Sequence, residues 1–319
     1  MNKKNSITIL VVLLLIQAAL IVYLYRPGQK QSAPSVSLLS TVESQAVSSL
    51  AITDENDSTI IMKKKGEAWF VGEEQFPADS ASVESIIQKI SGLESARLVS
   101  RTKSSHNRLK VGDAVFNRKV VLGSDKGDSI FFMGTAPSSK SVHLRVSGHN
   151  EVYQVAGISA WELQAERDSW WQTKYVTLEP EAINALTITN THGTISLKRS
   201  DDEKWQFGGE LSGELDQQKA AALIGSISNI SISEYLKKDF SIDTKPACRI
   251  EYRTDKGTIS LQIWPKSEDN DDHVAKLSTA EFYSKLRSYI IQEALDATSQ
   301  ELLVEEPEQG VLPAPALEQ

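Results

Sequence analysis

Cysteine is almost absent, with Cys248 alone among 319 residues. No disulfide can close within the chain, so packing alone must hold the fold, whichever redox compartment it occupies. Lipoprotein attachment is excluded as well, because Cys248 stands far from the amino terminus. The signatures of catalysis are also missing: no Gly-rich phosphate loop, no Gly-x-Ser-x-Gly nucleophile turn and no zinc-protease helix motif. His106, His143, His149, His192 and His273 show no close ligand spacing, and the many carboxylates are too scattered to nominate a catalytic pair. A formal net charge of -8 argues against general nucleic-acid binding. These absences lead to an expectation of no enzyme, no cofactor and no metal.

Long hydrophobic runs are equally scarce, and the exception is Ile7 to Tyr25. Nineteen nearly uncharged positions make a helix of roughly 28 Å, close to the thickness of a bilayer core. The apolar residues run all round the helix, which disfavours an interfacial amphipathic helix. A cleaved signal peptide is disfavoured by the length of the run and by the lack of a small-residue cleavage site. Lys3 and Lys4 precede the run, while Arg26 and Lys30 follow it. That small basic bias predicts an amino terminus in the cytoplasm and a single-pass protein of a bacterial inner membrane, with the bulk of the chain periplasmic.

The expected organisation is a stub and transmembrane helix over 1–25, a flexible linker over 26–45, repeat domains over 46–176 and 177–300, and an acidic, Pro-containing disordered tail over 301–319. The repeat shows when the chain is slid along itself. Leu50 matches Leu186 and Trp69 matches Trp205 at a displacement of 136. Ile86, Ile87, Ile90 and Leu93 match Leu223, Ile224, Ile227 and Ile230 at 137. Further on, Asp125-Lys126-Gly127 matches Asp255-Lys256-Gly257, His143 matches His273 and Tyr153 matches Tyr283, all at 130. The change of displacement falls between Leu93 and Val121, where the first copy should carry a longer loop.

Each copy opens with short alternating strands ending at Trp69 or Trp205, followed by an amphipathic helix with Asp79 or Asp216 as its N-cap. A second strand group follows, over Arg97–Val99, Lys119–Leu122, Ser129–Met133, Val142–Val146 and Val152–Val155, with a counterpart through Ile250–Tyr252 and Thr258–Trp264. Closing helices are expected around Ser159–Glu166 and Ala280–Ala297. Strand groups flanked by helices, without regular strand–helix alternation, indicate an α+β fold: a tandem duplicated domain of antiparallel sheets with flanking helices.

The anchor, the Trp-ending hairpins, the Phe76-Pro77-Ala78-Asp79 helix start and the Trp170-Trp171 to Tyr175-Val176 join together resemble the bacterial family catalogued as domain of unknown function 4340. The similarity covers most of 45–300, and the second copy departs from it by lacking the Phe-Pro-Ala start and a paired Trp. The resemblance implies a membrane-anchored envelope protein with a partner, of a kind often encoded beside the permease and auxiliary subunit of a gliding-motility-type ABC exporter. It implies no activity.

Two groups of residues are candidates for contact. Arg97, Arg101, Lys103, Arg108, Lys110, Arg118 and Lys119 face a single Asp113 in the inserted loop region. The first five are candidates for contact with anionic lipid headgroups or an acidic partner, against the plainer reading of a solvated loop. Trp170 and Trp171, at the join, are expected to pack the repeats together or to line a cleft between them. Trp69 and Trp205 read as core plugs. The run Glu268 to His273 lacks the glycine and the bidentate glutamate of a calcium loop and reads as a solvated turn. The expected function is binding of a membrane or periplasmic protein, such as an ABC exporter subunit; the alternative is an envelope ligand or polysaccharide domain.

Overall fold

The computed structural model describes residues 43–304 except 210–212 and 267–270, together with Val12, Leu14, Ile16, Gln17, Leu20 and Leu38. Of the anchor stretch, Val12, Leu14, Ile16, Gln17 and Leu20 are helical and exposed, and the rest of Ile7–Tyr25 lies outside the described residues. Among the described residues, no helix is long and apolar enough to cross a membrane. Most of the linker and the tail beyond Val304 also lie outside them.

The first copy runs β1 (Val47–Asp54), β2 (Thr59–Lys65), β3 (Ala68–Val71), β4 (Phe76–Pro77), α1 (Ser80–Ser91), β5 (Ser95–Ser100), β6 (Arg118–Ser124), β7 (Gly127–Met133), β8 (Ser141–Val146) and β9 (Val152–Ala156). The second runs β10 (Lys174–Thr177), β11 (Ile183–Asn190), β12 (Gly193–Arg199), β13 (Trp205–Phe207), α2 (Gln217–Ser228), β14 (Asn229–Ser231), β15 (Glu234–Tyr235), β16 (Cys248–Thr254), β17 (Gly257–Ile263), β18 (Asp272–Leu277), β19 (Ser284–Arg287) and α3 (Ser288–Asp296). The fold is α+β with two large antiparallel sheets. Contact density divides the chain into two compact units, one of residues up to Lys64 with Ala81–Glu166, the other of Lys65–Ser80 with Arg167 onward. The segment bearing Trp69 and Phe76 thus groups with the second copy.

Within unit 1 the strands lie in the order β2-β1-β6-β7-β8-β9-β5, and within unit 2 in the order β12-β11-β16-β17-β18-β19-β15. These are one topology used twice. The ladders repeat it in detail: Leu50 faces Leu122 as Leu186 faces Tyr252. The Asp-Lys-Gly turns join β6 to β7 and β16 to β17, with Gly127 at φ 115° and Gly257 at φ 125°, values a side chain would resist. The apolar stripes of the helices are buried, through Val83, Ile86, Ile87 and Ile90 on α1 and Ala220, Leu223, Ile224 and Ile227 on α2. Asp216 caps α2, accepting from the amides of Gln218 and Lys219. In unit 2 the Tyr252 hydroxyl donates to Ile227 O at 2.7 Å, satisfying a carbonyl in the last turn of α2.

Beyond β7 the two copies depart from the displacement of 130 that the spaced identities suggest. Leu122 faces Ser129 as Tyr252 faces Ile259, so β7 and β17 keep the displacement of 130. Beyond them, Met133 pairs with Leu144 whereas Ile263 pairs with Ala275, so the second copy holds one extra residue before β18. His143 therefore corresponds to Val274, and His273 to Val142. Likewise Leu144 pairs with Tyr153 whereas Ala275 pairs with Ser284, so Tyr153 and Tyr283 are not equivalent. In a strand a slip of one residue turns each side chain to the other face, so the matched identities misled.

The closing helices also differ from expectation. Over Ala280–Ala297 the helix begins only at Ser288, because Ser284–Arg287 is strand β19, hydrogen-bonded between β18 and β15. Ladder pairing on both sides outweighs the local helical periodicity. Around Ser159–Glu166 there is a single 3-10 turn, Ala160–Glu162, closed by a Ser159/Glu162 capping box.

Candidate functional site

The longer loop of the first copy is a packed element, in contrast to the solvated loop expected. Leu109, Val111 and Phe116 bury with Phe132 and Val152 in a small core of their own, against which Val99 and Ile130 pack. Arg145, only 3% exposed, pins it from β8. Its Nε donates to Val111 O at 2.6 Å, its Nη1 to His149 O at 3.2 Å and its Nη2 to the Asp113 carboxylate at 2.6 Å, while the guanidinium lies 4.5 Å from the Phe132 ring centroid. The Arg145 hydrogen bond holds the Asp113 carboxyl below its ordinary value. At Gly134 a Cβ would sit 2.0 Å from Leu109 O, so only glycine lets the loop backbone lie so close to the sheet.

This packing sorts the basic residues. Arg97, Arg101, Lys103 and Arg108 are exposed, and none makes an ion pair with a described residue. Lys110 is paired with Glu55 at 2.8 Å. Arg118 donates to Leu163 O and Asn117 O, and Lys119 is half-buried on β6.

Arg97 faces Gln154 across β5 and β9, and Gln154 faces His143 across β9 and β8. Directly opposed residues on neighbouring strands share a face, so the three form a row. Gln154 Nε2 donates to Ser141 Oγ at 2.9 Å, and His143 Nδ1 shares a hydrogen bond of 2.8 Å with Thr135 Oγ1. Thr135 N in turn donates to Leu109 O, which brings the loop backbone beside Arg108 up to the strand end that carries His143. Burial of the imidazole, then the charges of Arg108 and Arg97, push the His143 pKa below its ordinary value. In the second copy the same three positions hold Glu234, Lys285 and Val274, and there Lys285 pairs with Glu234 at 2.6 Å.

The depressed imidazole has a thermodynamic consequence. The folded protein binds a proton at His143 less readily than the unfolded chain, so this residue's contribution is present above about pH 6.5 and is lost as pH falls from there toward the folded value. Between about pH 7.5 and about pH 5.5, the unfolding free energy in phosphate-free buffer should fall more steeply for the parent than for His143→Gln. Parallel denaturation curves across that range would refute the assignment.

Trp170 and Trp171 are buried, at 5% and 7% exposure. Trp171 meets the rings of Phe76 and Tyr235 edge-on at 6.0 and 5.8 Å, Phe76 stacks on Tyr235 at 5.5 Å, and Phe282 lies 4.8 Å from Phe76. Arg167 covers Phe76 and Trp171 at 5.2 and 5.5 Å. The backbone reinforces the cluster, with Asp79 N donating to Trp170 O, Gln172 N to Pro77 O and the Tyr235 hydroxyl to Gln172 O. Burial raises the Tyr235 pKa above its ordinary value, which keeps that hydroxyl a donor. All of these groups belong to unit 2. Trp69 and Trp205 are buried as expected of core plugs.

The remaining sequence candidates hold structural posts. His106 Nε2 contacts Asn150 O at 3.0 Å, and His273 Nδ1 contacts Trp264 O at 2.9 Å. Within the acidic run, 268–270 lies outside the described residues, Asp271 pairs with Lys266 at 2.7 Å and Asp272 begins β18. Among the described residues, no three His, Cys, Asp or Glu side chains cluster as a metal site would need. Burial pushes the Cys248 thiol up to about 12, so it is not a nucleophile at neutral pH.

One concave feature was not visible in the sequence. Between α2 and α3 of unit 2 runs an open groove of about 420 Å³, with Ala222, Leu223, Ala297 and Leu302 among its apolar lining and Glu293, Asp296 and Glu301 against Lys219 at its rim. No motif marks it, because its two walls lie some seventy residues apart in the chain and meet only through helix packing.

No curated protein and no solved structure matches the chain. A family model described as a domain of unknown function (DUF4340) matches residues 69–257, more than half of the chain, from the β3 hairpin of the first copy to the Asp-Lys-Gly turn of the second. The chain therefore belongs to the DUF4340 family.

Proposed function

We propose that this protein is a non-enzymatic, single-pass envelope protein, anchored by Ile7–Tyr25 in the bacterial inner membrane, whose periplasmic module binds a protein partner such as an ABC exporter subunit. The α2–α3 groove carries this reading. It is open, apolar at its base and acidic at its rim, which fits a partner segment that presents small apolar residues flanked by lysine or arginine. The structural bonds that occupy His106 and His273 agree with a binding role. The resemblance supplies the exporter as the kind of partner.

The test is affinity purification of the full-length protein after cross-linking in its own membranes, alongside the double variant Ala222→Arg/Glu293→Lys. The parent should recover a membrane or periplasmic protein, and the variant should lose it by about tenfold or more. Equal recovery by both, or recovery of the protein alone, would overturn the proposal.

A further inference from the structure

We infer that unit 1 carries a phosphate-binding site formed by Arg97, Arg108, Gln154 and His143. The site lies in the other unit from the groove and does not depend on it. Its residues arrive from four places: Arg97 from β5, Gln154 from β9, His143 from β8 and Arg108 from the inserted loop. Two inter-strand spacings separate Arg97 from His143, about 10 Å between backbones, so a tetrahedral oxyanion above Gln154 is within reach of side chains from both flanks.

Each member has donor capacity to spare. Arg97 and Arg108 are exposed and hold no ion pair with a described residue, leaving both guanidinium forks free for the bidentate contacts that phosphate oxygens accept. Gln154 spends one amide N–H on Ser141, and the other remains. His143 shares its Nδ1 hydrogen bond with the Thr135 hydroxyl; when that hydroxyl donates to Nδ1, or when the imidazole is protonated, Nε2 carries an N–H for the ligand.

The second copy acts as an internal control. At the positions of Arg97 and Gln154 it has Glu234 and Lys285, which neutralise each other, and the imidazole is replaced by Val274. In the first copy, Arg97 and Arg108 have no ion pair among the described residues, in a chain whose formal net charge is -8. Two arginines press on a buried imidazole there, and an incoming anion would relieve that repulsion. Arg101 and Lys103, exposed on the same loop, add to the local potential. The phosphate could belong to an anionic phospholipid headgroup or to a free phosphate.

The full-length chain, kept in zwitterionic detergent, tests this through the imidazole resonance of His143, assigned by its loss in His143→Gln. One arm titrates inorganic phosphate against chloride at equal ionic strength, and the other compares bicelles with and without phosphatidylglycerol. The resonance should move saturably in at least one arm, which names the source. Arg97→Gln and Arg108→Gln should each weaken that response by about tenfold, while Lys103→Gln, which removes the same charge outside the row, should change it far less. No saturable movement in either arm, or equal weakening by Lys103→Gln and Arg97→Gln, would overturn the site.

Discussion

Phe76→Ala should destabilise unit 2 by about 3–5 kcal/mol, the usual range for truncating a fully buried aromatic ring. Phe76 is 1% exposed and touches Trp171, Tyr235 and Phe282. Its loss empties the centre of a four-ring cluster and removes one of the two rings beneath Arg167. Phe76→Leu keeps most of the volume and should cost about 1.5 kcal/mol or less. Chemical denaturation followed by tryptophan fluorescence measures both. A cost below about 1 kcal/mol for the alanine variant would show that the cluster closes over the gap and that Phe76 is not its anchor.

Arg145→Met should release the inserted loop at a cost of about 2–4 kcal/mol. The stem of methionine replaces the apolar contact with Phe132, but Val111 O and His149 O lose their donor. Those lost bonds account for most of the effect, because the Asp113 side chain is 67% exposed and its carboxylate stays hydrated either way. Asp113→Asn should therefore cost less than about 1 kcal/mol. Limited proteolysis should cut Arg145→Met between Arg101 and Asn117, with faster amide exchange there, and leave Asp113→Asn resistant. Equal resistance of Arg145→Met and the parent would mean that the Leu109, Val111 and Phe116 core holds the loop unaided.

Much of the architecture was legible along the chain because strands and helices write their burial as periodicity. The stripe Val83, Ile86, Ile87, Ile90 and the alternation through Leu50 and Ile52 report faces that bury locally. The duplication was legible for the same reason, since two copies of one topology repeat their buried positions. Register past β7 was not, because one extra residue hides easily when His and Tyr recur close to the expected offset, and only pairing partners reveal it.

Of the candidate residues, the positive charge was visible in the sequence, but its division was not. Lys110 and Arg118 have partners that come from distant segments, Glu55 and Leu163, whereas Arg97 and Arg108 have no ion pair among the described residues. Nothing local distinguishes these arginines. The α2–α3 groove and the four-ring cluster are hidden for the same reason, each assembled from segments far apart in sequence.

The sequence by itself determined most of the element types, the closing helices excepted, together with the α+β class, the duplication and the family, all of which rest on local periodicity and spaced identities. Tertiary structure alone decided that the inserted loop is a packed element, that Trp170 and Trp171 are buried within unit 2, and that Arg97, Gln154 and His143 lie in one row across three strands. The physical reason is that side-chain partnership depends on strand order and register, which bring β5 beside β9 and match one charge while another has no ion pair among the described residues.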